Sequence, residues 1–125
     1  MPKTVRPAAY SEMQARIGER ICWVRELVEP NQSKAARLLN IDPSTLSKIE
    51  TGDRAPSIFN VLEIANRFRV TTDYLLRGDL RGSDEEIALI LAARHPELAL
   101  TLDMTRKGHR DTGHLTDTRP EPRRR

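Results

Sequence analysis

The stretch Gln32-Ser-Lys-Ala-Ala-Arg-Leu-Leu-Asn-Ile-Asp-Pro-Ser-Thr-Leu-Ser-Lys-Ile-Glu50 decides the fold. Small or apolar residues fall at Ala35, Ala36, Leu39, Ile41, Leu46 and Ile49. Their spacing predicts two short helices, one on each side of Asn40-Ile41-Asp42. That tripeptide reads as a tight turn, because asparagine tolerates left-handed backbone. Asp42 reads as an N-cap and Pro43 as the first helical residue, where its missing N–H costs nothing. Ala36 is small where the two helices cross, Ile41 plugs the turn, and Leu46 and Ile49 face the first helix. Pro43, Ser44, Ser47 and Lys48 are left on the outward face of the second helix. A helix with short polar residues near its N-terminus can enter the major groove of DNA, about 12 Å wide.

Working outward, the chain reads as further helices. Residues 1–10, with two prolines and little periodicity, read as a flexible extended arm. Ser11-Glu-Met-Gln14 fits a capping box. Met13, Ile17, Ile21, Val24 and Val28 then recur on one helical face until Pro30. After Glu50, Thr51-Gly52-Asp53-Arg54-Ala55-Pro56 reads as a loop. Ser57 caps a helix carrying Ile58, Val61, Leu62, Ala65 and Phe68. Thr72 caps a shorter one with Tyr74, Leu75 and Leu76, and Gly78 stops it. Ser83-Asp-Glu-Glu86 opens a sixth segment, with acid at the positive helix end. It carries Ile87, Ile90 and Leu91, then His95-Pro96, Leu98 and Leu102. The expected architecture is all-α. A five-helix domain occupies 11–79, an appended helical segment 83–104, and a disordered basic tail 105–125.

Composition excludes several classes of function. The chain has 125 residues and a formal net charge of +3. Residues 105–125 hold seven basic and three acidic side chains, so the tail carries +4 and residues 1–104 carry −1. Excess positive charge therefore says nothing about the folded part, and any nucleic-acid case must rest on particular residues. One cysteine, Cys22, allows no internal disulfide and no multi-cysteine zinc site. His95, His109 and His114 are scattered, so no metal or cofactor is expected. The longest apolar run, Ile87–Ala93, is far short of the about 20 residues that span a bilayer, and residues 1–6 lack a signal-peptide core. A cytoplasmic protein without membrane contact is the expectation. No nucleophile–base pair, glycine-rich phosphate loop or carboxylate cluster suggests an enzyme. Trp23 and Cys22 read as packing residues.

Residues 17–76 resemble the helix-turn-helix domain of the phage-repressor family (lambda repressor, Cro and the XRE-type regulators). The features that carry the resemblance are Ile21 with Arg25, Gln32-Ser-Lys-Ala-Ala36, Leu46-Ser-Lys-Ile-Glu50, Gly52, Pro56-Ser57 and Val70-Thr-Thr-Asp-Tyr-Leu-Leu76. Asn40 stands where the family usually has glycine, and Ala35 where a larger aliphatic residue is common. The resemblance implies a lambda-repressor-like fold and binding to double-stranded DNA. It implies that Gln32, with Ser33 beside it, meets a DNA phosphate, and that Pro43, Ser44, Ser47 and Lys48 lie over base edges. Lys48 could donate to guanine O6 and N7. Thr45 and Arg54 would touch the DNA backbone. Arg25 and Glu50 match a buried salt bridge of the family, a structural pair rather than a DNA contact.

Two functions of different class follow. The first is a sequence-specific transcriptional regulator, expected to be a repressor, binding a palindromic operator as a homodimer. Residues 83–104 are its candidate dimerisation element, since their apolar positions exceed what a free surface helix exposes; packing against their own domain is the other reading. The second function is an antitoxin or similar interaction module that binds a small protein partner through the same C-terminal segment.

Overall fold

The computed structural model describes residues 7–102. Its helices are α1 (Pro7–Val28), α2 (Gln32–Leu39), α3 (Pro43–Thr51), α4 (Ile58–Phe68), α5 (Thr72–Arg77) and α6 (Glu85–Arg94), followed after His95 by a helical stretch at 96–102. Among the described residues there is no strand, no helix long and apolar enough to cross a membrane and no cluster of metal-ligating side chains. The expected all-α class and lambda-repressor-like arrangement hold. The proposed tail, 105–125, lies outside the described residues, as do His109 and His114.

Local chemistry explains most helix boundaries. Asn31 caps α2 by accepting from the Lys34 N–H at 2.8 Å. At the other end Asn40 has φ 59° and ψ 41°, the left-handed conformation expected of it, and Ile41 N–H reaches back to Ala36 O at 2.9 Å. Asp42 caps α3 and Pro43 follows at its first turn. Gly52, at φ 88°, ends α3. Ser57 caps α4 in a reciprocal box in which the Asn60 side chain returns a bond to the cap.

Two helix starts differ from the sequence reading. Helix α1 starts at Pro7, inside the stretch expected to be an extended arm. Proline's fixed φ suits a first helical turn, and Ala8 and Ala9 favour helix. Ser11 therefore lies within a helix rather than capping one. The cap of α5 is Thr71, whose hydroxyl accepts from Tyr74 N–H at 3.0 Å, one residue before Thr72.

A single core joins all the elements, built from Ile21 and Val24 (α1), Ala35, Ala36 and Leu39 (α2), Leu46 and Ile49 (α3), Ile64 and Phe68 (α4), and Tyr74 and Leu75 (α5). Met13 and Val28, expected on the inward face of α1, are exposed, as are Ile58 and Leu62 of α4 and Leu76 of α5. Helix α1 is longer than the body it packs on, so its end turns overhang the core. On α4 the inward stripe is Val61, Ile64, Ala65 and Phe68. The C-terminal segment contributes Ile87, Ala88, Leu91 and Leu98 to the same core. It is fastened by Asp84 N–H to Arg69 O at 2.9 Å and Leu80 N–H to Thr101 Oγ1 at 3.2 Å. Trp23 of α1 stacks on His95, centroids 3.7 Å apart, which agrees with its reading as a packing residue. Of the apolar residues that suggested a dimerisation element at 83–104, Ile87, Ala88, Leu91 and Leu98 thus pack on the chain's own domain, Leu89 and Leu100 are exposed, and 103–104 lie outside the described residues.

Candidate nucleic-acid interface

Helix α3 is held on its inner side and free on its outer side. Leu46 and Ile49 are buried, whereas Pro43, Ser44 and Lys48 are exposed and Thr45 and Ser47 half-buried. Ser44, Ser47 and Lys48 stand three and four residues apart, so they share one face. Lys48 carries no ion pair among the described residues. Its carbonyl accepts from the N–H groups of Asp53 and Arg54, at 2.9 and 3.2 Å. That bond fixes the backbone of Arg54 at the C-terminal end of α3 while its side chain stays exposed.

Ser44 is more constrained than its sequence suggests. Both its backbone N–H and its hydroxyl donate to Asp42 Oδ2. These bonds, the hydroxyl first, hold the Asp42 carboxyl below the usual carboxylate range. With its proton directed to Asp42, Ser44 presents lone pairs outward and can accept from a donor on a base edge.

Gln32 begins α2 and lies half-buried where α2 meets the end of α3. Its amide Nε2 donates to Glu50 Oε1 at 2.9 Å, leaving a second amide hydrogen for an outside acceptor. Ser33, beside it, is exposed. The N-terminal turn of α2 also supplies backbone N–H groups and the positive end of a helix dipole, both suited to a phosphate.

The pair expected of Arg25 and Glu50 is present. Arg25 Nε meets Glu50 Oε2 at 2.8 Å and Nη2 meets Oε1 at 2.9 Å, a two-point contact with both side chains about 5% exposed. Nη1 donates to Pro30 O at 2.7 Å, and Nη2 also to Cys22 Sγ at 3.9 Å. The bonds to Glu50 raise the arginine's pKa further above its ordinary value. Burial, with the Glu50 carboxylate adding to it, pushes the Cys22 thiol up to about 12, so it stays protonated near neutrality. The pair ties the end of α1, the start of α2 and the end of α3 into one frame.

Two further supports went unread in the sequence. Gly18 lies where α1 crosses α3, and a Cβ there would fall 2.1 Å from Ile49 O. Gln14 Nε2 donates to Gly52 O at 2.8 Å, pinning the last turn of α3 to α1. A glycine in mid-helix with no turn signal around it was the available clue to the first. Nothing local signals the second.

Residues 24–75 match the helix-turn-helix family model. The chain is similar to the HTH-type transcriptional regulator ImmR of Bacillus subtilis (strain 168), 34% identical over 74 residues, which make up 59% of this chain and 58% of that protein. The match therefore spans less than two thirds of the relative's length. No solved structure matches. With the left-handed turn at Asn40, the capped second helix and the Arg25–Glu50 frame all in place, the stretch 24–75 that carries α2 and α3 is similar to the helix-turn-helix family.

Proposed function

We propose that this protein is a sequence-specific DNA-binding transcriptional regulator that acts as a repressor and binds its operator as a homodimer. The observation that carries this reading is the outer face of α3. It offers Ser44, Ser47 and Lys48, the last without an ion pair among the described residues, on a rod whose opposite face is locked by Leu46 and Ile49. In the reading helix, the Lys48 ammonium donates to guanine O6 or N7. Ser44, its own proton held by Asp42, accepts from cytosine N4 or adenine N6. Ser47 pairs with little preference. Gln32, Ser33 and the first N–H groups of α2 clasp a phosphate on one side, and Arg54 takes one at the far end of α3, with Thr45 beside the backbone. These contacts set position, and the α3 face sets sequence. The name of the similar Bacillus protein agrees with regulation of transcription. Repression follows from occupancy, because a bound dimer covers promoter DNA. The alternative, an antitoxin or similar module that binds a small protein through the C-terminal segment, has less to rest on, since Ile87, Leu91 and Leu98 are buried and Leu89 and Leu100 are the large apolar side chains exposed there among the described residues.

Selection of bound fragments from random DNA, followed by gel shift on the recovered sequence, tests the proposal. The recovered site should be palindromic, with half-sites about one helical turn apart. Lys48→Ala should weaken binding by about 1–3 kcal/mol, roughly tenfold or more. Its thermal stability should stay within about 0.5 kcal/mol of the parent, as for other surface changes. An unchanged titration on the selected site would refute the assignment of α3 to the groove.

A further inference from the structure

Helix α1 carries a second set of polar residues on the side turned away from α3. Gly18 and Arg25 share the face that meets Ile49 and Glu50 of α3. Arg16, Arg20 and Trp23 stand three and four residues apart on the opposite face, with Arg20 about 200° round the helix from Gly18. With Arg77 and Gly78 at the end of α5 and Leu98 of the 96–102 stretch, they line a cleft of about 420 Å³. Clefts that hold small ligands run from about 300 to 1,000 Å³. The charge in this one is unbalanced. Arg16 is matched by Glu19, Nη1 to Oε1 at 2.8 Å. Arg20 and Arg77, from different helices, have no ion pair among the described residues, and the remaining carboxylate of the lining, Glu97, is exposed. Arg20 is nevertheless half-buried, and burial holds its pKa below the ordinary value. It is also fixed in place. Its Nη1 donates to Leu75 O at 3.2 Å, and its guanidinium lies over Gly78, where a Cβ would come within 3.1 Å of Nε. One of its five N–H donors is spent on that carbonyl, which leaves the others for an acceptor in the cleft.

We infer that this cleft binds a small organic anion, its carboxylate or phosphate head held by Arg20 and Arg77 and its flat apolar body lying against Trp23 and Leu98. A guanidinium fork matches either head group at two points. A half-buried cation without a counter-ion carries a desolvation cost that an anion from outside offsets. The apolar wall is ordered as well, since Leu98 is buried and Trp23 is stacked on His95. A DNA phosphate does not fit the position, because the cleft opens on the side of α1 away from α3. The shape, bounded by α1, α5 and 96–102, suits a small molecule rather than the flatter contact of a protein partner. A bound anion would join α1 to the end of α5 and brace the C-terminal stretch beside them. The inference goes beyond the proposed function and does not rest on it, since no residue of the α3 face takes part.

Fluorescence titration of the full chain tests it, with phenyl phosphate, benzoate and inorganic phosphate as probes. Trp23 is the chain's one tryptophan, so its emission reports on the cleft. Phenyl phosphate or benzoate should change that emission saturably at millimolar concentration or below and raise the melting temperature. The tighter of the two identifies the head group. Inorganic phosphate, which lacks the apolar body, should bind roughly tenfold more weakly than phenyl phosphate. Arg77 is exposed, with no hydrogen bond or ion pair among the described residues, so Arg77→Gln should melt like the parent. It should weaken binding of the aromatic probe by about tenfold or more, the loss of a charge-assisted bond. Arg20→Gln should do the same to binding, and Lys48→Ala should bind the probe like the parent. An emission unmoved by both aromatic probes overturns the inference, as does a titration that neither arginine change alters. Inorganic phosphate that binds as tightly as phenyl phosphate overturns the apolar half of the site. Operator DNA that displaces phenyl phosphate would make the cleft a DNA contact and overturn the inference too. A protein that binds the probe but no selected DNA keeps this cleft and sinks the DNA reading; one that binds the operator but neither aromatic probe does the opposite.

Discussion

Arg25 shows what one side chain holds in this domain. Its guanidinium is bound by Glu50, by the carbonyl of Pro30 and by the sulfur of Cys22, and it is almost sealed from water. The carboxylate it meets is shared with Gln32, so the fixing charge and the amide proposed to meet a phosphate belong to one network. Removing the arginine would leave Glu50 buried and unpaired. Arg25→Ala should therefore cost about 3–5 kcal/mol, a large part of the about 5–15 kcal/mol that holds a domain together. Arg25→Lys should recover only part of this, because an ammonium cannot meet both carboxylate oxygens in a plane. Urea denaturation measures both, and an unmoved midpoint in Arg25→Ala would contradict the pair's structural weight. The pair came to light in the sequence only through resemblance to a family. Twenty-five positions separate the partners, and no local pattern links them. The roles of Cys22 and of the Pro30 carbonyl were out of reach for the same reason, since they depend on how α1 ends against α3.

At the level of elements, the crossing of α1 and α3 sets where the reading helix points. Gly18 lets the two backbones approach so closely that a methyl group would meet Ile49 O and Glu50 O, and Gly52 lies against Ala15 in the same way. A backbone carbonyl cannot swing aside as a side chain would. Gly18→Ala should thus destabilise by about 1–3 kcal/mol through overpacking, although alanine in a helix interior is otherwise favoured by about 1 kcal/mol. It should also weaken operator binding, because α1 can yield only by tilting α3 and straining the Arg25–Glu50 contact. Thermal melting and gel shift check both effects. A more stable protein, as helix propensity alone dictates, would show that the crossing is looser than described. The turns and most caps were legible because Asn40, Asp42, Ser57 and Gly78 act on their own neighbours. The start of α1 and the outward placement of Met13, Ile58 and Leu62 were not. Periodicity tells which residues share a face, but not which of two neighbouring faces is covered: on α4 it is that of Val61, Ile64, Ala65 and Phe68, which leaves Ile58 and Leu62 outside.

For the whole molecule, charge and core are divided along the chain. Residues 1–104 are close to neutral and residues 105–125 carry the excess of +4. The proposed DNA contact would therefore rely on a few placed groups, Lys48, Arg54 and the start of α2, rather than on a general positive field. The C-terminal segment was legible as apolar, but not as to which surface its apolar residues would meet. That depended on the gap left beside α1, which Ile87, Leu91 and Leu98 fill. The basic tail has a separate consequence. Under the proposed function, Arg119, Arg123, Arg124 and Arg125 would add attraction to phosphate without adding any means of telling one base from another. Deleting residues 119–125 should lower affinity for operator and unrelated DNA by the same factor. It should also make the slope of log affinity against log salt shallower, by about 0.9 for each phosphate that the tail no longer neutralises. Titrations of both DNAs at several salt concentrations measure the two quantities together. A loss confined to the operator would mean that the tail reads sequence, and the division between a specifying helix and an unspecific tail would then be wrong.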